Sequence, residues 1–240
     1  MTAGDPHMLR EIWPFVDAVV RDGGDVVLAR LVGRDGPGAR PLGAVCPHRW
    51  SIGPDPGDAD PLTFTEFVRP RRRLVLVGAT DLAAALAGFA GTLHRETVIV
   101  DPRKRHLSSG AFPSDAALVR AWPGEWLDTH PLDPCDALVT VSHDQRIDDD
   151  ALRTALAGKA GYVAALGSRA THAERLERLS GAMGLERLIG PVGLDLGGVT
   201  STETALSILA ELVAVDNGRQ GGRLRRGRQP IHALSGCSIG

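Results

Sequence analysis

The chain has 240 residues, 43% hydrophobic and 23% charged, which is ordinary globular usage and argues against disorder throughout. Its 27 Lys and Arg nearly balance 29 Asp and Glu, for a formal net charge of -2, so no global basic field is present for nucleic acid or an anionic membrane. Cys46, Cys135 and Cys237 are lone thiols without C-x-x-C spacing, which argues against a disulfide framework and a four-ligand zinc site and fits a reducing, cytoplasmic setting.

Residues 1–14 carry Asp5, Glu11 and two prolines but no apolar h-region, so no signal peptide is expected there. No apolar run approaches the roughly 18 residues of a membrane span. Ile12, Phe15, Val16, Val19 and Val20 recur at helical spacing, and Gly23-Gly24 ends that helix. A β-rich run covers 26–32, a turn 33–41 and a second short strand 43–52. The Pro/Gly/Asp stretch 53–61 reads as a linker, with a domain boundary between about Gly53 and Pro70. The expected organisation is a small α+β domain over 1–62, a second domain over 71–218 and a basic, flexible tail over 219–240.

From Arg71 onward strands alternate with helices. Strands are expected at 74–77, 97–100, 117–121, 137–141 and 162–166. Helices are expected at 82–90, 149–157, 171–182 (with Leu176 and Leu179 inward) and 201–217. Thr200-Ser-Thr-Glu203 is a capping box before the last helix, and Gly218 closes it. Alternation with near-continuous apolar strands means a Rossmann-like α/β fold, a parallel sheet with helices on both faces.

Four segments carry candidate chemistry. Leu74-Val-Leu-Val-Gly78-Ala-Thr-Asp-Leu-Ala83 follows the dinucleotide turn pattern in part: Gly78 makes the tight turn and Ala83 the close helix packing. Thr80 stands where a glycine normally admits the pyrophosphate, and Asp81 adds a negative charge there. Asp101 lies about 20 residues on, where an acid can hold a ribose hydroxyl. NAD(P) binding is therefore disfavoured relative to the fold itself. Ser142-His143-Asp144 follows a buried strand; His143 reads as a base, a ligand contact or a structural donor. Gly167-Ser168-Arg169 precedes a helix and reads either as an anion site or as a turn whose Arg pairs with a surface acid. Gly190-Pro-Val-Gly-Leu-Asp195-Leu-Gly-Gly-Val-Thr200 brings Asp195 before the capped helix, at the same crevice or as a turn cap. No nucleophile–base–orienter set and no metal-ligand cluster is evident, so no catalytic residue and no metal ligand is assigned. Cys46, near His48, reads as a sulfur carrier or as a structural thiol.

These segments, with Val100-Asp-Pro-Arg103, Asp148, Tyr162-Val-Ala-Ala-Leu before Gly167, Ala-Thr-His-Ala-Glu-Arg-Leu after Arg169 and Ala205-Leu-Ser-Ile-Leu-Ala-Glu-Leu, occur in one order. Together they resemble the C-terminal Rossmann domain of the xanthine dehydrogenase accessory factor (XdhC/CoxI) family over about residues 71–219. The chain differs at the first turn, with Gly78-Ala-Thr-Asp81 where the family usually has Gly-Ala-Gly-His. Its N-terminal part is abbreviated, and Cys46 stands outside any Gly-Gly-Cys segment. The resemblance implies a maturation factor, more a chaperone than an enzyme, that binds molybdenum cofactor (molybdopterin) for a xanthine or carbon monoxide dehydrogenase. Its expected partners are the apo molybdenum hydroxylase and a sulfurtransferase (cysteine desulfurase), with a homodimer left open. On that reading the cofactor's phosphate lies against Gly167, Ser168 and Arg169, with His143, Asp144 and Asp195 at the rim and Gly78, Thr80 and Asp101 in the same crevice. The alternatives are an NAD(P)-dependent oxidoreductase and a regulatory Rossmann protein that has lost its ligand.

Overall fold

Leu74-Val-Leu-Val, Thr97-Val-Ile-Val, Ala137-Leu-Val-Thr and Tyr162-Val-Ala-Ala are apolar or β-branched almost throughout, and such strands are stable only with both faces covered. In the computed structural model they form the centre of a six-stranded sheet in the order β6-β5-β4-β7-β8-β9. The structure describes residues 72–109 and 111–226, and the backbone of strands within 26–31, 41–45 and 63–68. The chain divides into two units, Met1–Pro70 with Leu234–Gly240, and Arg71–Ala233.

In the first unit β1 (Val26–Leu31) pairs antiparallel with β2 (Pro41–Val45), with a register shift between Ala29 and Arg30, and with β3 (Thr63–Val68) in continuous register. β2 starts at Pro41, inside the stretch expected to be turn; as an edge strand it tolerates a residue without an N–H. β3 occupies the expected boundary region, where Thr-Phe-Thr-Glu-Phe-Val alternates well enough to pair with the whole of β1. The helix expected over 12–20 lies outside the described residues.

The second unit is parallel throughout. Its strands are β4 (Arg72–Val77), β5 (Arg95–Val100), β6 (Ala117–Val119), β7 (Ala137–Thr140), β8 (Tyr162–Ala165) and β9 (Leu188–Ile189). Helices α1 (Asp81–Thr92) and α6 (Ser201–Asp216) cover one face through Leu82, Leu86, Ile208 and Leu212, packed on Leu74, Leu76 and Ile99. Helices α3 (Pro123–Thr129) and α4 (Gln145–Ala157) cover the other through Leu127, Leu152 and Leu156, packed on Val75, Val77 and Leu138. Helices α2 (Lys104–Ser109) and α5 (Arg169–Arg178) complete the unit. Thus the α/β fold with helices on both faces is as the sequence indicated. The capping box at Thr200 and Glu203 is also present. Three elements are unexpected: α2, which is short and polar; α3, which starts at Pro123 without a side-chain cap; and β9, which has two residues.

Register decides where loops emerge. Val77 lies opposite Val100 and Thr140, and Thr140 opposite Ala165. Gly78, Asp101, Ser142–Asp144 and Gly167–Arg169 therefore leave the sheet at one edge. The chain runs outward from β4 through β5 to β6, then returns to β7 on the other side, so the strand order reverses between β4 and β7. Ligands of open α/β sheets bind at that reversal, outside the carboxyl ends of the strands.

Candidate functional site

The first turn is built by close approach. Gly78 has φ +107°, and a Cβ there would lie 2.5 Å from Cα of Ser142, so only glycine lets the two loops touch. Thr80 is the N-cap of α1, and its Oγ1 accepts from the N–H of Ala83 at 3.2 Å. Asp101 is fully buried. Its Oδ2 accepts from Ala79 N–H and Arg103 Nη2, both at 2.8 Å, and its Oδ1 from Arg103 N–H at 2.8 Å and Nε at 2.9 Å. Burial alone would raise this carboxyl; the Arg103 and Ala79 hydrogen bonds overcome it and hold it below the usual range. The acid expected to meet a ribose hydroxyl thus ties the first turn to the end of β5.

The second loop is held by Ser142. Its Oγ donates to Asp148 Oδ1 at 2.6 Å and accepts from the N–H of Asp144 at 3.0 Å. Asp148 is buried, and that burial pushes its carboxyl up, against the pull of the Ser142 bond and the Arg175 charge. Asp144 caps α4 on the N–H of Arg146 and pairs with that guanidinium, which lowers its carboxyl. This cap starts α4 at Gln145, four residues before the expected start. Between them His143 is exposed at φ +61°, a conformation costing a non-glycine residue roughly 1–2 kcal/mol. Backbone strain of this kind gathers at ligand clamps.

The third loop lies beside it. Ser168 caps α5: its Oγ accepts from the N–H of Thr171 at 3.1 Å and sits 2.9 Å from Thr171 Oγ1. The first helical bond of α5 runs from His172 N–H to Ser168 O at 2.9 Å, which leaves the N–H groups of Arg169 and Ala170 without an intrahelical acceptor. Arg169 is the first helical residue and is exposed, rather than lying on the turn before a helix starting near Thr171.

Arg175 is the residue the sequence reading did not single out. It is 3% exposed, and its Nη2 donates to Leu166 O at 2.9 Å. Its Nε and Nη1 are buried and have no hydrogen-bond partner among the described residues. A Cβ at Gly167 would stand 3.6 Å from Nη1, so the guanidinium lies directly beneath the turn. Burial lowers the pKa of Arg175, opposed by the Asp148 charge. Asp149 is taken by Arg178 at 2.8 and 3.2 Å. The inward position belongs to Arg175 and Leu179; Leu176, expected inward, is 37% exposed. His172 also has a buried Nδ1 without a partner, and its pKa is lowered by burial first and by Arg175 second. The signal available was the spacing: Thr171, Arg175 and Leu179 share a helical face.

The loop from Gly190 to Thr200 is drawn toward this edge by Val192 N–H, which donates to Ala165 O at 3.3 Å. Glu211 Oε2 fixes it, accepting from Gly193 N–H at 3.0 Å and from the Tyr162 hydroxyl at 2.7 Å. Asp195 is exposed further along the loop. Cys46 lies outside the described residues. Among the described residues no group of three or more His, Cys, Asp or Glu is placed to hold a metal ion, and no helix is long and apolar enough to cross a membrane.

The chain is 30% identical over 150 residues to a probable xanthine dehydrogenase subunit of Bacillus subtilis (strain 168), covering 62% of this chain and 44% of that protein. It is 28% identical over 185 residues to the uncharacterized protein YqeB of Escherichia coli (strain K12), covering 75% and 34%. The chain thus spans less than half the length of these curated relatives. A crystal structure of a xanthine dehydrogenase from Bacillus halodurans is similar at a TM-score of 0.63 and 23% identity, covering 92% of this chain and 66% of that one, a likeness of fold. Residues 74–212, which run from β4 into α6 and include every loop described above, match the XdhC Rossmann domain, and the chain belongs to that family.

Proposed function

We propose that this protein is an accessory factor for a molybdenum hydroxylase of the xanthine or carbon monoxide dehydrogenase type, which takes molybdenum cofactor as cargo and presents it for sulfuration or insertion. The observation that carries the reading is the family match, because the matched residues include the loops that leave the sheet at its carboxyl edge. The residues suit an anionic, polar ligand: the Nε and Nη1 of Arg175 and the Nδ1 of His172 are buried polar atoms still lacking partners. Gly167, Ser168 and the backbone N–H of Arg169 would hold the ligand's phosphate, and His143, Asp144 and Asp195 its polar rim. The metal chemistry belongs to the cargo; the protein's part is to bind, orient and release it. The apo-hydroxylase and a cysteine desulfurase are the partners this role requires, and Cys46 is the proposed sulfur relay.

Two observations favour this reading over an NAD(P)-dependent oxidoreductase. The Asp101 carboxylate accepts four hydrogen bonds from Ala79 and Arg103, which leaves little of it for a ribose. Thr80 spends its hydroxyl on the α1 cap at the position where a dinucleotide needs bare backbone. Anaerobic calorimetry with molybdenum cofactor, NAD and NADP separates the two. Saturable cofactor binding with no low-micromolar nicotinamide binding is expected, as is an increase in hydroxylase activity when the loaded protein meets the apoenzyme. Low-micromolar NAD(P) binding without cofactor binding would overturn the proposal.

A further inference from the structure

We infer that the β8–α5 turn is a phosphate-monoester site whose charge is supplied from beneath by Arg175, with the exposed side chain of Arg169 contributing little. This deepens the accessory reading, resting on it for the identity of the ligand and on the local geometry for the phosphate.

Two independent observations converge on the turn. The first is the start of α5, a helix of ten residues, where the N–H groups of Arg169 and Ala170 precede any helical hydrogen bond. Such donors, at the positive end of the helix dipole, suit an anion. The second is the buried guanidinium. Arg175 reaches Leu166 O with Nη2, while Nε and Nη1 have no partner among the described residues. Buried charges in folded proteins are ordinarily paired, because removing one from water is costly. Among the described residues no carboxylate lies within ion-pair distance of Arg175. Asp149 is committed to Arg178 and Asp148 to Ser142. Both carboxylates act on Arg175 only from beyond ion-pair distance. The positive charge therefore acts on the turn above it, where Gly167 separates it from the surface without a side chain.

Position decides between the two arginines. Arg169 stands in water, where a charge-assisted contact is screened and its long side chain must be ordered to make it. Arg175 is already ordered by the Leu166 bond and its burial, so its attraction is felt in a lower dielectric. A phosphate, with two negative charges and several acceptor oxygens, answers both the charge and the pair of N–H donors; a carboxylate answers them less completely.

The test uses the full chain labelled with nitrogen-15 and inorganic phosphate as the probe. Phosphate at constant ionic strength should move the amide signals of Ser168, Arg169 and Ala170 and the Nε–H signal of Arg175, saturably and together. Arg169→Ala should weaken this response less than about threefold. Arg175→Lys, which keeps the charge but loses the fork, should weaken it at least about tenfold. If Arg175→Lys fails to fold, the wild-type Nε–H response decides the matter alone. Silence of these signals, an equal response to acetate, or loss of binding in Arg169→Ala with Arg175→Lys unchanged would overturn the assignment. Cofactor binding with these signals silent would overturn the phosphate site and leave the accessory role standing. A saturable phosphate response in a chain that does not bind the cofactor would support the site and overturn the accessory role.

Discussion

Asp101, which follows β5, and Asp148, in the first turn of α4, are both buried aspartates, and replacing each by asparagine should give opposite results. In Asp101→Asn the amide nitrogen must face either Ala79 N–H and Arg103 Nη2 or Arg103 N–H and Nε, because each carboxylate oxygen now serves two donors. A buried donor left unsatisfied costs about 1–3 kcal/mol, and breaking a buried charge pair about 3–5 kcal/mol. The Arg103 side chain is 29% exposed and can turn to water, so the total should fall near 2–4 kcal/mol. For a unit of this size that is a fall in Tm of roughly 10 °C. Asp148→Asn keeps an acceptor for Ser142 and removes a carboxyl that burial already disfavours, so stability at neutral pH should be unchanged or slightly higher. The pH dependence follows the same signs. The lowered Asp101 contributes stability above the ordinary aspartate range that is lost as pH falls through its folded value; the raised Asp148 contributes stability at low pH that is lost as pH rises through its own. Urea unfolding of both variants from about pH 3 to 8 measures this. A loss below about 1 kcal/mol in Asp101→Asn, accompanied by loss of ligand binding, would show Asp101 to be a ligand contact and refute the argument.

Three further outcomes are expected. Gly78→Ala should be poorly folded, since its Cβ would meet Ser142 Cα at 2.5 Å and φ is +107°, whereas Gly88→Ala on the exposed side of α1, with nothing within 4 Å, should raise stability by about 0.5–1 kcal/mol in thermal melts. Tyr162 is the only tyrosine, and burial, together with its bond to Glu211, pushes its hydroxyl up; absorbance at 295 nm should change only with alkaline unfolding, and a reversible titration near the ordinary value of about 10 would contradict the burial. Arg187 donates to Ala160 O and Gly158 O at 3.0 Å and also reaches Leu156 O at the end of α4, so Arg187→Ala should cost about 1–3 kcal/mol in urea titrations without changing ligand binding.

The fold was legible because its strands are short and apolar at nearly every position, and because caps are local. Thr200 with Glu203 named the start of α6 from sequence alone. Where a cap used a residue already given another role, the boundary slipped: Asp144 and Ser168 were read as site residues, and both are N-caps that start their helices earlier than periodicity suggests. Helix α3 lacks a side-chain cap and β9 is held by its neighbour β8, so neither leaves a local signature. The XdhC resemblance needed no such detail, since the order of several short segments carries it and the first turn, where this chain departs, does not.

The site was legible as a place more than as a set of side chains. Every singled-out loop from β4, β7 and β8 does emerge at one edge, which the strand order of a doubly wound sheet requires. What sequence could not reveal is which polar groups are spent inside. Asp101 had the position of a ribose acid, yet Arg103, two residues on, folds back to take it. The same holds for the arginines. Each residue turns a helix by roughly 100°, so a buried Leu179 puts the residue four earlier on the inward face and the residue three earlier partly off it. Arg175 is that inward residue, and Leu176 that outward one. A charged side chain at the phase of a buried leucine is a local conflict between pattern and burial. Such conflicts persist where the structure has a use for them. Here the conflict sits about a turn and a half along α5 from the N–H groups that an anion would meet, which is why the buried arginine, and not the exposed one that opens the helix, is the residue on which the phosphate assignment turns.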